Sequence, residues 1–99
     1  MLGYDYHPDA EAEYHAAIRY HSRISTDLGM AFVSEIEKAV DRARLFPEAH
    51  RRIMANVRRV LTQRFSYMVI YEVWEDHIFV WAVAHTSRAP GYWKDRLQA

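Results

Sequence analysis

The stretch that decides the fold runs from Arg64 to Trp93 and reads RFSYMVIYEVWEDHIFVWAVAHTSRAPGYW. It contains two runs rich in β-branched and aromatic residues, separated by the acidic pair Glu75-Asp76. This pattern predicts an antiparallel hairpin. Basic and imidazole groups occur at the far ends of both runs, so strand pairing would bring them together.

A two-residue loop at the acidic pair fixes the register of the predicted hairpin. The predicted cross-strand pairs are Trp74 with His77, Ile70 with Trp81, and Ser66 with His85. Because side chains alternate with period 2, the hairpin has two distinct faces. We assign one face to the helix-packed core, because two tyrosines are its only ionisable groups; it carries Phe65, Tyr67, Val69, Tyr71, Val73, Ile78, Val80, Ala82 and Ala84. We assign the mixed face to a groove; it carries Arg64, Ser66, Met68, Ile70, Glu72, Trp74, Phe79, Trp81, Val83 and His85. A three-residue loop would exchange the two faces.

Length and composition indicate one domain, residues 1–99, with enough apolar residues to bury a core. The absence of cysteine excludes disulfides, thiol catalysis and cysteine-ligated metals. The start of the chain lacks the pattern of a signal peptide, and no apolar run approaches the ~20 residues of a membrane helix. We therefore expect a soluble cytoplasmic protein that does not contact a membrane.

The zero net charge conceals two halves of opposite sign. Residues 1–50 contain five Arg/Lys and nine Asp/Glu, whereas residues 51–99 contain eight and four. The basic half coincides with the predicted strands, which suggests an anionic partner for that half.

The rest of the chain predicts an α+β arrangement. We expect a strand at residues 2–6, a helix from Pro8 to about Ser25, a second helix ending at Phe46, a connecting segment at residues 47–56 and a strand at residues 57–62. The hairpin follows, then a turn at residues 89–91 and a short tail through Ala99. Pro8 suits a first helical position, and Pro47 disfavours helix at the residue before it. Both helices would pack as an αα-hairpin on one face of an antiparallel sheet.

With these elements in order, the sequence resembles the RelE/ParE superfamily of toxins from bacterial type II toxin–antitoxin systems, which includes plasmid-stabilisation proteins. The matching residues, in chain order, are Pro8, Ala10, Leu28-Gly29, Phe32, Phe46-Pro47, Arg64-Phe65-Ser66-Tyr67, Val69, Tyr71, Ala82-Val83, His85, Arg88, Pro90 and Tyr92-Trp93. The resemblance covers nearly the whole chain. It implies a βααβββ fold and a small toxin that is neutralised by an antitoxin wrapped around it.

The resemblance implies two alternative activities. RelE-like members are mRNA interferases that cleave messenger RNA in the ribosomal A site, whereas ParE-like members inhibit DNA gyrase without known hydrolytic chemistry. Fold likeness does not choose between them. We expect ribosome-dependent cleavage slightly ahead of gyrase inhibition, and a non-toxic relative is a third reading.

Four residues are candidates for metal-independent RNA cleavage, which needs a proton acceptor, a proton donor and charge stabilisation at phosphate. Arg64 and Arg88 match arginines that the resemblance associates with RelE-like active sites, and their guanidinium forks suit phosphate. His85 can act as acid or base near neutral pH. Tyr92 lies where some nuclease members carry a functional aromatic residue.

Three of the four candidates also have a structural reading. Arg64 could be an ion-pair partner of Glu72 or Asp95. His85 could be a hydrogen-bonded structural histidine, and Tyr92 could help to anchor the tail by packing.

The arginines before the hairpin are candidates for nucleic-acid binding. They are Arg51, Arg52, Arg58 and Arg59, and their alternative reading is solvated edge-strand charge. Two departures from the RelE-like pattern stand out: the chain is neutral overall, and residues 51–63 contain arginine but no lysine. Arginine is a poor proton donor, so a lysine-based acid step is missing. The histidines show no ligand-like spacing, and we predict neither a metal nor a cofactor.

Overall fold

The predicted segments form two long helices and a five-stranded sheet. The structure, a computed structural model, describes residues 1–98, so the last residue of the predicted tail, Ala99, lies outside the described residues. The elements are β1 (Gly3–Tyr6), α1 (Pro8–Ile24), α2 (Thr26–Leu45), β2 (Arg51–Met54), β3 (Val57–Leu61), β4 (Tyr67–Trp74), β5 (His77–His85) and a final 3-10 helix (Lys94–Gln98).

Local capping interactions explain where α1 begins and where α1 ends and α2 begins. His7 Nδ1 accepts a hydrogen bond from the Asp9 amide at 3.0 Å, with Pro8 at the first helical position. Ser25 ends α1, and its Oγ accepts a hydrogen bond from the Leu28 amide of α2 at 3.0 Å. One residue therefore separates the two helices, and they form the predicted αα-hairpin.

The sheet has the strand order β1-β5-β4-β3-β2. The β3–β4 and β4–β5 pairs are antiparallel, as predicted, and β2 is antiparallel to β3, whereas β1 pairs with β5 in parallel. The segment at residues 47–56, predicted as a connection, contains the additional edge strand β2. The sheet is therefore mixed, and the βααβββ arrangement is confirmed with one strand more than expected.

A β-bulge in β5 changes the predicted register of the hairpin. Trp74 pairs with His77, which confirms the two-residue loop. Further along, the pairs are Tyr71 with Val80, Ile70 with Ala82, and Tyr67 with His85. Trp81 is thus the extra residue of a bulge. The predicted pairs of Ile70 with Trp81 and of Ser66 with His85 are wrong.

The bulge exchanges the faces of the last residues of β5. Val83 lies in the core under the helices, while Ala82 and Ala84 lie in the cluster on the opposite face of the sheet, the open face. His85 lies on the helix side, where its ring contacts the ring of Tyr67. The sequence assignment of these residues was therefore wrong, because one unpaired residue inverts every later side chain.

Two apolar clusters lie on the two faces of the sheet. The helix-side core contains Ala10, Ala17, Phe32, Ile36, Ala39, Val40, Ala43, Val60, Val69, Tyr71, Ile78, Val80 and Val83. The open-face cluster contains Val57, Met68, Ile70, Trp81, Ala82, Ala84 and Trp93. Trp93 is 3% exposed, so the segment after β5 folds back and covers part of the face that was predicted to be a groove.

Arg64 lies in a turn and not at the start of a strand. β4 begins at Tyr67, and the two preceding residues, Phe65 and Ser66, have left-handed φ angles of 74° and 53°. Such angles cost roughly 1 kcal/mol each in non-glycine residues, so packing around the turn must hold them. The strand alternation that assigned Arg64 to the groove face does not extend to this turn.

Candidate functional site

A largely buried carboxylate on α1 joins the helix to the C-terminal segment. Glu13 accepts hydrogen bonds from Tyr92 Oη at 2.6 Å and from Arg96 Nη1 and Nη2 at 3.0 and 2.8 Å. The side chain of Glu13 is 16% exposed and that of Arg96 is 14% exposed. Arg88 Nη1 lies 4.0 Å from Glu13 Oε2. We call these four residues, Glu13, Arg88, Tyr92 and Arg96, the Glu13 cluster.

The Glu13 cluster also binds backbone groups of β5 where β1 no longer pairs with it. The last β1–β5 pair is Tyr6 with Val80. Just beyond it, the carbonyl of Trp81, the bulge residue, accepts a hydrogen bond from Arg96 Nη1 at 2.8 Å. The Val83 amide then donates to Glu13 Oε1 at 3.1 Å. An ion pair thus satisfies backbone groups that a longer β1 would have bound.

The hydrogen bonds of the cluster fix its protonation state. Burial alone would raise the pKa of Glu13, but hydrogen bonds from Arg96, Tyr92 and the Val83 amide outweigh it and lower that pKa below its ordinary value. Burial and the hydrogen bond to Glu13 raise the pKa of Tyr92 far above its ordinary value. At neutral pH the cluster therefore holds a carboxylate, a neutral phenol and charged guanidinium groups.

The cluster brings together two of the predicted catalytic residues. The guanidinium carbon of Arg88 lies 3.9 Å from the centre of the Tyr92 ring, and that of Arg96 lies 5.2 Å from it. These are cation–π distances. Arg88 and Tyr92 are therefore engaged with each other and with Glu13, while Arg88 and its neighbours in sequence, residues 85–90, are exposed to solvent.

His85 lies beside this cluster on the helix side of the sheet. It shares a cleft of about 320 Å³ with Arg88, Glu13, Tyr20 and Tyr67, among others. The Ser87 amide donates a hydrogen bond to His85 Nδ1 at 3.1 Å, which leaves Nε2 to carry the proton of the neutral ring. The structure thus brings three of the four predicted catalytic residues into one region.

The backbone of Arg64 is bound to α2, whereas the residue is exposed to solvent. Its amide donates a hydrogen bond to the buried Glu35 Oε1 at 2.8 Å, and its guanidinium lies 4.9 Å from the centre of the Phe65 ring. Within residues 1–98, no hydrogen bond or ion pair joins Arg64 to His85, Arg88 or Tyr92. The hypothesis that Arg64 and His85 lie together on the open face is not supported by this arrangement.

The four predicted nucleic-acid-binding arginines are divided between two faces. Arg51 pairs with Arg59 and Arg52 with Arg58. Since paired residues share a face, one pair lies on the open face and the other on the helix side. Arg58 Nη1 donates to the carbonyls of Glu48 and His50 at 3.1 and 2.9 Å, which gives it a structural role.

Arg59 lines a cleft on the open face that we call the basic cleft. Its volume is about 250 Å³, and its rim carries Arg59, Arg88 and Lys94. The lining residues with apolar side chains include Ile53, Met54, Met68, Ile70 and Trp93. This combination suits an anionic segment that also carries apolar side chains.

Sequence reasoning missed Glu13 and Arg96, which lie at the centre of the cluster. They are separated by 83 positions, so no local spacing connects them. In the sequence, Glu13 is one of several carboxylates on an amphipathic helix, and Arg96 is one charged residue in the C-terminal tail. Within the described residues, no group of three or more histidine and carboxylate side chains is close enough to hold a metal ion.

The comparisons with known proteins identify the family. A model of the ParE toxin of type II toxin–antitoxin systems (parDE) matches residues 4–90. The chain belongs to the ParE toxin family. This confirms the predicted RelE/ParE superfamily toxin, and membership in the family implies a cognate antitoxin partner. Tyr92 and Arg96 lie beyond the matched range.

A solved structure supports the fold independently. The chromosomal ParDE TA system from P. aeruginosa contains a chain that is similar with a TM-score of 0.65 and 14% identity, covering 86% of this chain and 96% of that chain. No curated protein shows significant similarity to the sequence. None of the described helices is both long and apolar enough to cross a membrane.

Proposed function

We propose that this ParE-family toxin arrests growth by binding and inhibiting DNA gyrase, without cutting RNA. The whole chain acts as one toxin domain in the cytoplasm, where gyrase is found. The observation that carries the proposal is the Glu13 cluster. In it, the Glu13 carboxylate binds Tyr92 and lies beside Arg88, two of the residues that a nuclease would use.

The cluster is poorly suited to phosphoryl transfer. Glu13 compensates the positive charge of Arg96 and part of that of Arg88. A carboxylate at this position repels a phosphate and the negative charge that develops in the transition state. Tyr92 donates its proton to Glu13 and has a raised pKa, so it is a weak proton donor to any leaving group.

The remaining candidates do not complete a nuclease site. His85 offers an exposed imidazole, but no hydrogen bond or ion pair joins Arg64 to it within residues 1–98, and the segment before the hairpin lacks lysine. An acid, a base and a phosphate-binding cation are needed within reach of one scissile bond. A binding toxin needs none of these groups in that geometry.

RNA cleavage is a second candidate because of one specific observation. His85 and Arg88 line the same cleft, and both are exposed. An imidazole beside a guanidinium is a possible proton-transfer and phosphate-binding pair. This alternative predicts that His85 is indispensable.

The cognate antitoxin is proposed to occupy the basic cleft. Its rim is formed by Arg59, Arg88 and Lys94, and its lining includes Met68 and Ile70. An antitoxin segment with acidic residues and interspersed apolar residues would match both properties.

Two purified systems test the proposed activity. The toxin is added to DNA gyrase with relaxed plasmid, and separately to ribosomes that translate a defined messenger. We expect loss of supercoiling in the first system and intact messenger in the second. Codon-specific cuts with normal supercoiling would reject the proposal and select the nuclease alternative. Addition of an equal amount of toxin bound to its antitoxin serves as the control.

A further inference from the structure

Three aromatic rings cluster on the open face, close to the turn between β4 and β5. Trp74 and Phe79 are stacked, with ring centres 4.3 Å apart and an angle of 1° between their planes. The Trp81 ring meets Phe79 edge-on, with centres 4.8 Å apart. Trp74 and Phe79 lie at the turn end of the hairpin, whereas Arg88 follows the opposite, C-terminal end of β5, and neither ring lines the basic cleft.

Of these three rings, Trp81 is buried and held by a hydrogen bond, whereas Trp74 is partly exposed. Trp81 is 7% exposed, and its Nε1 donates a hydrogen bond to Glu72 Oε1 at 3.1 Å. Trp74 is 38% exposed, although a tryptophan is costly to leave in water. The stacked pair therefore presents aromatic surface that is already held in place, which lowers the entropy cost of binding.

Carboxylates surround these rings. Asp5 pairs with Phe79 and therefore lies on the same face, and its side chain is 74% exposed. Asp76 is 92% exposed and accepts a hydrogen bond from His77 Nδ1 at 2.9 Å, which lowers the pKa of this aspartate. Glu72 lies directly opposite Phe79. We call Trp74, Phe79 and these three carboxylates, Asp5, Glu72 and Asp76, the aromatic platform.

Three other rings in this chain have a cationic neighbour. Guanidinium groups lie over Tyr4, Phe65 and Tyr92 at 4.8, 4.9 and 3.9 Å. Within residues 1–98, no cation–π contact involves Trp74 or Phe79.

The nearest arginine strand position on the open face belongs to a different site. Arg59 pairs with Ile70 and lines the basic cleft. The aromatic platform thus combines exposed π surface with three carboxylates, two of which lie beside the His77 imidazole, at 3.7 Å from its Nε2 for Asp5 and 2.9 Å from its Nδ1 for Asp76.

We propose that the aromatic platform binds an arginine-bearing segment of a partner protein, at a site separate from the Glu13 cluster and the basic cleft. A guanidinium stacks on a tryptophan face and at the same time forms paired hydrogen bonds with a carboxylate. Trp74 supplies the face, and Asp76 and Glu72 supply the carboxylates. Arginine fits better than lysine, because its planar group can do both.

Charge decides between this occupant and a nucleic acid. Bases also stack on tryptophan, but the phosphates that accompany them would meet Asp5, Glu72 and Asp76. A second copy of this chain could bring its own Arg51 or Arg59 to the platform, and the test below distinguishes that case.

The probe is a capped hexapeptide in which arginine alternates with serine. Matched peptides carry lysine or glutamate in place of arginine. Binding is followed by the indole resonances of Trp74 and Trp81 in NMR spectra. We expect saturable shifts with the arginine peptide, about tenfold weaker binding with the lysine peptide, and none with the glutamate peptide.

Variants locate the bound peptide. Trp74→Leu removes the aromatic ring but keeps an apolar side chain, and Asp76→Asn removes the charge but keeps a side chain of the same shape. We expect each variant to weaken arginine-peptide binding by about fivefold to tenfold. Tyr20→Leu is the matched control, because Tyr20 is 61% exposed on α1, and it should leave binding unchanged. If Trp74→Leu does not fold, Asp76→Asn still tests whether the peptide binds at the aromatic platform.

Three outcomes would overturn the proposal. The first is no saturable shift with the arginine peptide, and the second is equal binding by the variants and the control. The third is self-association in sedimentation that Trp74→Leu removes while peptide binding is absent, which would assign the platform to a second copy of this chain.

Discussion

At the scale of single residues, Glu13 is the most heavily engaged side chain outside the apolar cores. It accepts hydrogen bonds from Tyr92, from Arg96 and from the Val83 amide, and it lies 4.0 Å from Arg88. Removal of one partner from such a network leaves buried polar groups unsatisfied, which costs more than an exposed ion pair contributes.

Glu13→Gln should lower the free energy of unfolding by about 2 kcal/mol, because Arg96 loses its closest counter-charge and keeps only the more distant Asp9, at 3.9 Å, while positions 13 and 96 stay largely buried. Urea unfolding at neutral pH measures the change. Glu11→Gln, an exposed position on the same helix, is the control and should stay within about 0.5 kcal/mol of the parent. Equal midpoints for the two variants would contradict the role assigned to Glu13.

The stability contributed by Glu13 should also depend on pH. Its pKa is lowered in the folded state, so its contribution is fully present above the ordinary value of about 4.5 and is lost as pH falls through the folded value. Unfolding experiments at pH 7 and at about pH 3 should show a smaller acid loss for Glu13→Gln than for the parent. Parallel pH profiles for the two proteins would refute the assignment.

The sequence offered little that could reveal this cluster. Arg88 and Tyr92 were found because they match a family pattern, whereas Glu13 and Arg96 follow no motif. Their meeting depends on how the C-terminal segment folds back across β5, a long-range event that neither periodicity nor spacing encodes.

At the scale of secondary-structure elements, helix ends and strand runs were predictable and the bulge was not. Pro8, Ser25 and Pro47 mark the ends of the helices by local chemistry, and the structure agrees with them to within one or two residues. The bulge at Trp81 has no comparable local signal. It coincides with a hydrogen bond from Arg96 to the Trp81 carbonyl, a contact between residues too distant in sequence for any local pattern to encode.

The close approach of the two helices gives a prediction for Gly29. A Cβ at this position would lie 2.2 Å from Ser22 Oγ and 3.0 Å from Ser22 Cα. Gly29→Ala should therefore destabilise the protein by about 1–3 kcal/mol, although alanine favours helices more than glycine does. Thermal unfolding measures this change.

Two further variants serve as controls for Gly29→Ala. At Gly3 a Cβ would meet its nearest atom at 3.5 Å, an ordinary contact, so Gly3→Ala should be nearly neutral. Ser22→Gly should restore part of the stability of Gly29→Ala, since it removes the side-chain contacts. A neutral or stabilising Gly29→Ala would show that the helices can separate at no cost.

At the scale of the whole molecule, the open face has two ends of opposite character. The basic cleft, with Arg59, Arg88 and Lys94 at its rim, lies towards the C-terminal segment. The aromatic platform and its carboxylates lie at the turn between β4 and β5. A neutral protein can therefore present an anion-binding surface and a cation-binding surface at once, which the overall charge of zero conceals.

Charge reversal at the basic cleft should weaken binding of the antitoxin. We expect Arg59→Glu combined with Lys94→Glu to lower affinity by about tenfold or more, with a reduced salt dependence. Calorimetric titration with the purified antitoxin measures both quantities. Arg19→Glu combined with Arg23→Glu, two exposed positions on α1, reverses the same charge elsewhere and should change affinity little. Equal losses for the two pairs would place the antitoxin outside the cleft.

We propose that this toxin works by binding and not by proton transfer in the cleft beside His85. The most direct measurement compares gyrase supercoiling in the presence of the parent protein and of His85→Ala, whose exposed imidazole is the best remaining acid–base group. We expect both proteins to inhibit gyrase to within about twofold of each other. Normal supercoiling with both proteins, together with messenger cleavage by the parent alone, would contradict it.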